Sequence, residues 1–122
     1  TSDGQRLYMS DGTSTIRIVN PETMATERSI FVTYNGYPLD MLNELEWIDG
    51  KIWANVYMTY SIVVINPETG VVEAYIDLPE LDNTKHNPKA DVLNGIAHDP
   101  TTGAIYITGK NWDKLYKIEI TK

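Results

Sequence analysis

Two short motifs each occur twice in this chain, and their spacing limits what it can fold into. Asn20-Pro21-Glu22-Thr23 returns as Asn66-Pro67-Glu68-Thr69, 46 residues on. Leu42-Asn43-Glu44-Leu45 returns as Leu93-Asn94-Gly95-Ile96, 51 residues on. Between the copies lie short apolar runs separated by turn residues. A repeat of nearly fifty residues containing four strands is the pattern of a β-propeller blade. A strand-rich sandwich is the alternative, but it does not explain equivalent motifs at equivalent places.

The clearest local unit is Leu42 to Tyr57. Asp49-Gly50 lies between two strand-like runs and predicts a β-hairpin, because glycine accepts φ > 0 at no steric cost. On the second run Ile52, Ala54, Val56 and Met58 share one face, and Trp53, Asn55 and Tyr57 share the other. Asn43 interrupts the apolar pattern at the start of the hairpin. Antiparallel pairing puts it near Tyr57, at the end away from the turn.

Further strands are predicted over 6–10, 15–19, 25–33, 61–65, 71–78, 92–98, 104–108 and 115–120. The continuous apolar run Ser61 to Ile65 suits a strand covered on both faces. Residues 35–38 and 79–91 read as loops, and no segment has the 3.6-residue period of a helix. Labelling blade strands a to d from the axis outward, residues 1–34 supply b, c and d. Residues 42–78 supply a complete blade, and residues 92–122 supply a, b and c. That is under three blades, fewer than closure needs. The chain is therefore expected to be part of a larger all-β propeller of four-stranded antiparallel blades.

Composition narrows the function. The formal net charge of −7 argues against nucleic acid, whose binding rests on neutralising phosphates with Lys and Arg. There is no cysteine, which removes disulfide and thiol chemistry. No run is long and apolar enough to cross a bilayer as a helix. His86 and His98 lack metal-ligand spacing. Asp82, Asn83 and Asp91 lack calcium-loop spacing, and no glycine-rich phosphate loop is present. No metal or cofactor is expected.

Within a blade, strand a starts and strand b ends on the same rim. Applied to each pass, that rim gathers Ser10 and Asp11, Asn43 and Tyr57, and Asn94 and Lys110. A concave mouth with a few polar groups and aromatic walls is the default binding site. Each residue also has a plainer reading. The asparagines could cap backbone at strand starts, Tyr57 could pack, and Lys110 could be a solvated loop lysine. Trp47, Trp53 and Trp112 read as packing residues. Glu44 and Glu46 look like a carboxylate pair, but they are assigned to opposite faces of their strand and so set aside as a shared acid/base site.

The runs Leu42 to Tyr57, Asp91 to Ala97 and Thr108 to Trp112, with Leu115-Tyr116 and the Ser10-Asp11-Gly12 turn, resemble the plant-type glutaminyl-peptide cyclotransferases of plants and bacteria. The resemblance covers essentially the whole chain in order. It implies a five-bladed propeller that converts N-terminal glutaminyl residues of peptides to pyroglutamate, releasing ammonia. It also implies a secreted or periplasmic protein. Carried over, the asparagine of the family's LNE motif is Asn43, the lysine of its TGK motif is Lys110, and an aromatic that is usually Trp falls at Tyr57. Asn43 would position the substrate's amide or amine, Lys110 would stabilise developing charge, and Tyr57 would form aromatic wall. Asn94 is a rim candidate from geometry alone. Asp113 stands where proline is common. The family's acid/base glutamate belongs to an N-terminal half that this sequence lacks, so the missing blades, or a second chain, are the expected partner. A non-catalytic peptide-binding or structural propeller fragment is the alternative. A propeller hydrolase would need metal-binding carboxylates around the axis.

Overall fold

The computed structural model describes residues 1–120. It is all-β, with antiparallel sheets joined by short turns. The first sheet holds β1 (Leu7–Ser10), β2 (Thr15–Val19) and β3 (Thr26–Phe31). A two-stranded hairpin follows, β4 (Thr33–Tyr34) with β5 (Tyr37–Pro38). The second sheet is four-stranded: β6 (Leu42–Ile48), β7 (Lys51–Val56), β8 (Ser61–Ile65) and β9 (Val72–Asp77), paired in that order. The third holds β10 (Leu93–His98), β11 (Ile105–Gly109) and β12 (Tyr116–Ile118). Residues 1 and 2 already pair with β1, through a Ser2–Leu7 bridge and the Tyr8 amide donating to Thr1 O at 2.8 Å.

The repeated motifs do identical work. Asn20 Oδ1 accepts from the amides of Glu22 and Thr23, at 2.9 and 3.2 Å. Asn66 Oδ1 accepts from Glu68 and Thr69, at 2.9 and 3.3 Å. Proline supplies the fixed φ of the next turn position, and the asparagine side chain mimics a backbone acceptor. The Asp49-Gly50 turn has φ of 48° and 81°, the left-handed pair that matches the strands' own twist.

The second sheet is the core's centre. Ile52, Ala54, Val56, Val63 and Ile65 pack with Tyr8, Ile16, Ile18 and Ile30 of the first sheet. Ile48, Trp53 and Ile62 pack with Leu93, Ile96 and Ile107 of the third. So β7 and β8 are apolar on both faces, as the run Ser61 to Ile65 predicts. Three sheets packed one on the next in sequence is propeller-like packing.

Two expectations change. Residues 33–38, read as strand end and loop, fold into the β4–β5 hairpin. Residues 79–91 contain two 3₁₀ turns, Pro79–Leu81 and Asn83–Lys85. They wrap around Asn83, which is 1% exposed and donates to Leu81 O at 2.8 Å and to Tyr116 Oη at 3.3 Å. A buried amide, not periodicity, organises that loop.

Candidate functional site

The rim is built from two equivalent β-bulges. In the second sheet Leu42 pairs with Val56 and Leu45 with Ala54, so Asn43 and Glu44 together face Asn55. In the third, Leu93 pairs with Gly109 and Ile96 with Ile107, so Asn94 and Gly95 face Thr108. A bulge re-aims side chains and commonly borders a site. Here it turns an asparagine out of each inner strand at the same level.

The bulges interlock. Asn43 Nδ2 donates to Asn94 Oδ1 at 3.1 Å. The Gly95 amide donates to Asn55 Oδ1 at 3.0 Å. Two successive residues of β10, Asn94 and Gly95, are thus held by two polar side chains of the second sheet. From the other side, Ser10 Oγ donates to the carbonyl of Asn43. Asn55 is fully buried, and its Nδ2 has no partner within the described residues.

Beside the second-sheet bulge lies an open pocket of about 240 Å³ lined by Asp11, Gly12, Met41, Asn43 and Tyr57. Its walls are fixed by backbone. Gly12 N donates to Leu42 O at 3.2 Å, Met41 N to Gly12 O at 3.1 Å, and Tyr57 N to Met41 O at 2.7 Å. Met41 takes φ of 65°, a conformation that costs a non-glycine residue and recurs at ligand sites. Tyr57 lies just past β7 and is 37% exposed. The Asp11 carboxyl accepts from Thr13 Oγ1 at 2.5 Å and from the Thr13 amide at 3.1 Å. Those bonds hold it below the usual carboxylate range, so it stays ionised at the pocket's edge.

The structure brings Asn43 and Tyr57 into one pocket and bonds Asn94 to Asn43. Lys110 is placed differently. Its backbone extends the β10–β11 pairing, with N donating to Val92 O at 2.9 Å and O accepting from Asp91 N at 2.8 Å. Its Nζ lies 4.0 Å from Asp91 Oδ2 on an exposed surface, outside the pocket lining. The loop that carries it is pinned by Trp112, whose indole lies on Gly109 and donates from Nε1 to Asp91 O at 2.8 Å. A second hollow of about 190 Å³ is lined by Met58, Tyr60, Asp91 and Val92 among others. A larger one, about 380 Å³, sits at the opposite end of the third sheet, around Gly103, Ile105 and Ile118. It has no link to the bulges.

The tryptophans pack. Trp47 stacks on Tyr8 at 5.1 Å, Trp53 is core, and Trp112 meets Tyr116 edge-on at 6.0 Å. Among the described residues no three His, Cys, Asp or Glu side chains converge as a metal site.

Glu44 and Glu46 require a correction. Residues two apart share a face of a strand, and these two do. Burial pushes the Glu44 carboxyl up to about 7, and repulsion from Glu46 adds to the rise; the Thr1 ammonium and the Ile96 amide oppose it. Burial also raises Glu46, opposed by the Thr1 ammonium and His98. Glu44, Asn55 and Met41 were missed as site-building residues. For Asn55 the available signal was a polar side chain at a strand position between apolar Ala54 and Val56.

Comparison with known proteins supplies an independent reading. The family model described as glutamine cyclotransferase matches residues 1–120. A glutaminyl-peptide cyclotransferase of Arabidopsis thaliana is 40% identical over 122 residues, covering 98% of this chain and 38% of that protein. The crystal structure of a Myxococcus xanthus glutaminyl cyclase superposes with a TM-score of 0.88 at 35% identity, covering 94% of this chain and 51% of that one. The WD40 β-propeller domain of Doa1 superposes with a TM-score of 0.57 at 14% identity, over 96% of this chain and 33% of that one, a likeness of fold alone. The chain thus spans about half or less of the length of these relatives.

Proposed function

The chain belongs to the glutamine cyclotransferase family, and we propose that it carries part of the active site of a glutaminyl-peptide cyclotransferase. In that reaction the free α-amine of an N-terminal glutaminyl residue attacks its own side-chain amide carbon. A five-membered lactam forms, the carbon–nitrogen bond of the amide breaks, and the departing nitrogen leaves as ammonia. One proton must leave the attacking amine and one must reach the departing nitrogen, which is general acid/base work. The oxygen of the tetrahedral intermediate needs a donor or a positive charge.

The observation that carries this reading is that Asn43 and Tyr57, nominated by the family motif, line the same pocket. Asn43 positions the substrate amide or amine, with Asn94 fixing its orientation. Tyr57 gives an aromatic wall with a hydroxyl added. Ionised Asp11 at the edge suits a peptide's incoming ammonium group. Lys110 stabilises the developing oxyanion once its side chain leaves Asp91 for the rim.

In this reading the three sheets are blades of a five-bladed propeller: a partial blade over 1–34, a complete one over 42–78, and a partial one over 92–122. Residues 121 and 122 lie outside the described residues. The remaining blades, carrying the acid/base carboxylate, come from polypeptide beyond these 122 residues or from a second chain. Two copies would bring six sheets to a ring of five, so a complementary segment fits better than self-association. Export from the cytoplasm belongs to the same reading.

The test is complementation. The chain is mixed with the part of the Myxococcus xanthus enzyme that it does not cover, and pyroglutamate formation from a glutaminyl dipeptide is followed. Turnover that Lys110→Ala lowers at least tenfold, with the fold retained, supports the assignment. Peptide binding without turnover in a properly assembled complex favours a non-catalytic peptide-binding fragment.

A further inference from the structure

The hollow of about 190 Å³ has no task in the mechanism above, yet the chain itself ties it to the pocket. Tyr57 lines the pocket, and Met58, the next residue, lines the hollow. Consecutive Cα atoms lie about 3.8 Å apart, close to the rise of about 3.4 Å per residue along an extended peptide. A peptide whose first residue lies against Tyr57 therefore brings its second within reach of Met58. Asp91 and Val92 also line the hollow. Both are tied to Lys110, whose N donates to Val92 O at 2.9 Å and whose Nζ lies 4.0 Å from Asp91 Oδ2. The Tyr57 turn and the segment paired with Lys110 thus both contribute to it.

Its chemistry is selective. The threonine hydroxyls are already committed. Thr59 Oγ1 donates to Val56 O at 2.7 Å and accepts from Ser61 N at 3.1 Å, and Thr84 Oγ1 donates to Asp82 Oδ1 at 2.6 Å. Met58, 65% exposed, and Tyr60 supply apolar surface. Asp91 is the charged residue of the lining. Its Oδ1 accepts the Val92 amide at 2.9 Å, and its Oδ2 faces only the loosely held Lys110 ammonium among the described residues. When Lys110 turns to the rim, that oxygen is left for another cation. An apolar stem with a cationic tip fits this combination.

We propose that the hollow is a subsite for the residue that follows the N-terminal glutamine, and that it favours a basic side chain there. The stem lies on Met58 and Tyr60, and the cation takes the place of Lys110 at Asp91. A basic second residue so releases Lys110 towards the oxygen it stabilises, while an acidic one meets Asp91 as a like charge. The inference rests on the cyclotransferase reading, and its test separates the two.

The test compares kcat/KM for the dipeptide amides Gln-Lys, Gln-Ala and Gln-Glu in the complemented protein. Gln-Lys is expected to exceed Gln-Glu by about fivefold at low salt, the scale of one exposed ion pair, and by less at high salt. Asp91→Asn keeps an oxygen for the Val92 amide but carries no charge, and is expected to bring the ratio near one. Asp91→Glu is expected to retain it. Glu22→Gln removes a charge in a distant turn and is expected to keep the full preference. Equal values in the unmodified protein, or a ratio that Asp91→Asn leaves intact, overturn the subsite while turnover of Gln-Ala upholds the cyclotransferase reading. Absence of turnover with every peptide strikes that reading instead. Amide NMR of the 122-residue chain then decides the subsite alone. Gln-Lys amide is expected to shift the Met58 and Val92 signals more than Gln-Glu amide does, and equal or absent shifts overturn it.

Discussion

Asn55 Oδ1 accepts the Gly95 amide at 3.0 Å across the packed faces of two sheets, so the site's rim is anchored in the core. Asn55→Ala should leave that amide without its partner and open a small void. An unsatisfied buried donor costs about 1–3 kcal/mol, and the lost volume adds to it. Urea denaturation should show the variant less stable by about 2 kcal/mol or more. A change under about 0.5 kcal/mol would mean that the interlock contributes little.

Gly70 separates a clash from ordinary backbone strain. It takes φ of 78°, and a Cβ there would lie 2.3 Å from Phe31 O. Gly103 has the same φ of 78° with open space around it. Gly103→Ala should cost about 1–2 kcal/mol, the left-handed penalty alone. Gly70→Ala should cost clearly more, since backbone must move where the first two sheets meet. Thermal melts of the two variants side by side check the order.

Gly109→Ala tests how Lys110 is held. A Cβ at 109 would sit 2.2 Å from the Trp112 ring. The indole should swing out, losing its bond to Asp91 O. Tryptophan emission should shift to longer wavelength, and turnover in the complemented protein should fall as the Lys110 loop loosens. An unchanged spectrum would contradict the packing described for this loop.

Stability should depend on pH through Glu44. Its folded value is raised from 4.5 to about 7, mainly by burial. Between those values the folded chain keeps a proton that the unfolded chain has lost, so stability falls as pH rises through that window. It is fully present below 4.5 and lost by somewhat above 7. Glu46, also raised, acts in the same direction. Glu44→Gln should flatten the curve and be relatively more stable at pH 8 than at pH 5. Denaturant midpoints measured across pH 4–8 check the sign.

The strands and turns were legible because their signals are local. Asp49-Gly50 dictates a left-handed turn, and the paired Asn20 and Asn66 motifs bend the chain by the same two side-chain bonds. Asn43 was legible as a misfit in an apolar run. The bulge that makes it useful was not. Whether an extra residue inserts at 43–44 depends on the fit of Asn55 against Gly95, forty residues away. The pairing of Glu44 with Glu46 was misassigned by an error in strand alternation. The position of Lys110 turns on Gly109 accepting the Trp112 ring, a contact with no periodic signature. Sequence pattern marks which residues reach the rim; packing between sheets decides which of them share a pocket.

The most direct measurement is ammonia release from a glutaminyl dipeptide by the 122-residue chain alone and after complementation. The account predicts no turnover from the chain alone, and turnover on complementation that Asn43→Ala abolishes. Turnover by the chain alone would contradict it, because the acid/base group would then lie within these residues. Unaltered turnover in Asn43→Ala would contradict the assignment of the pocket itself.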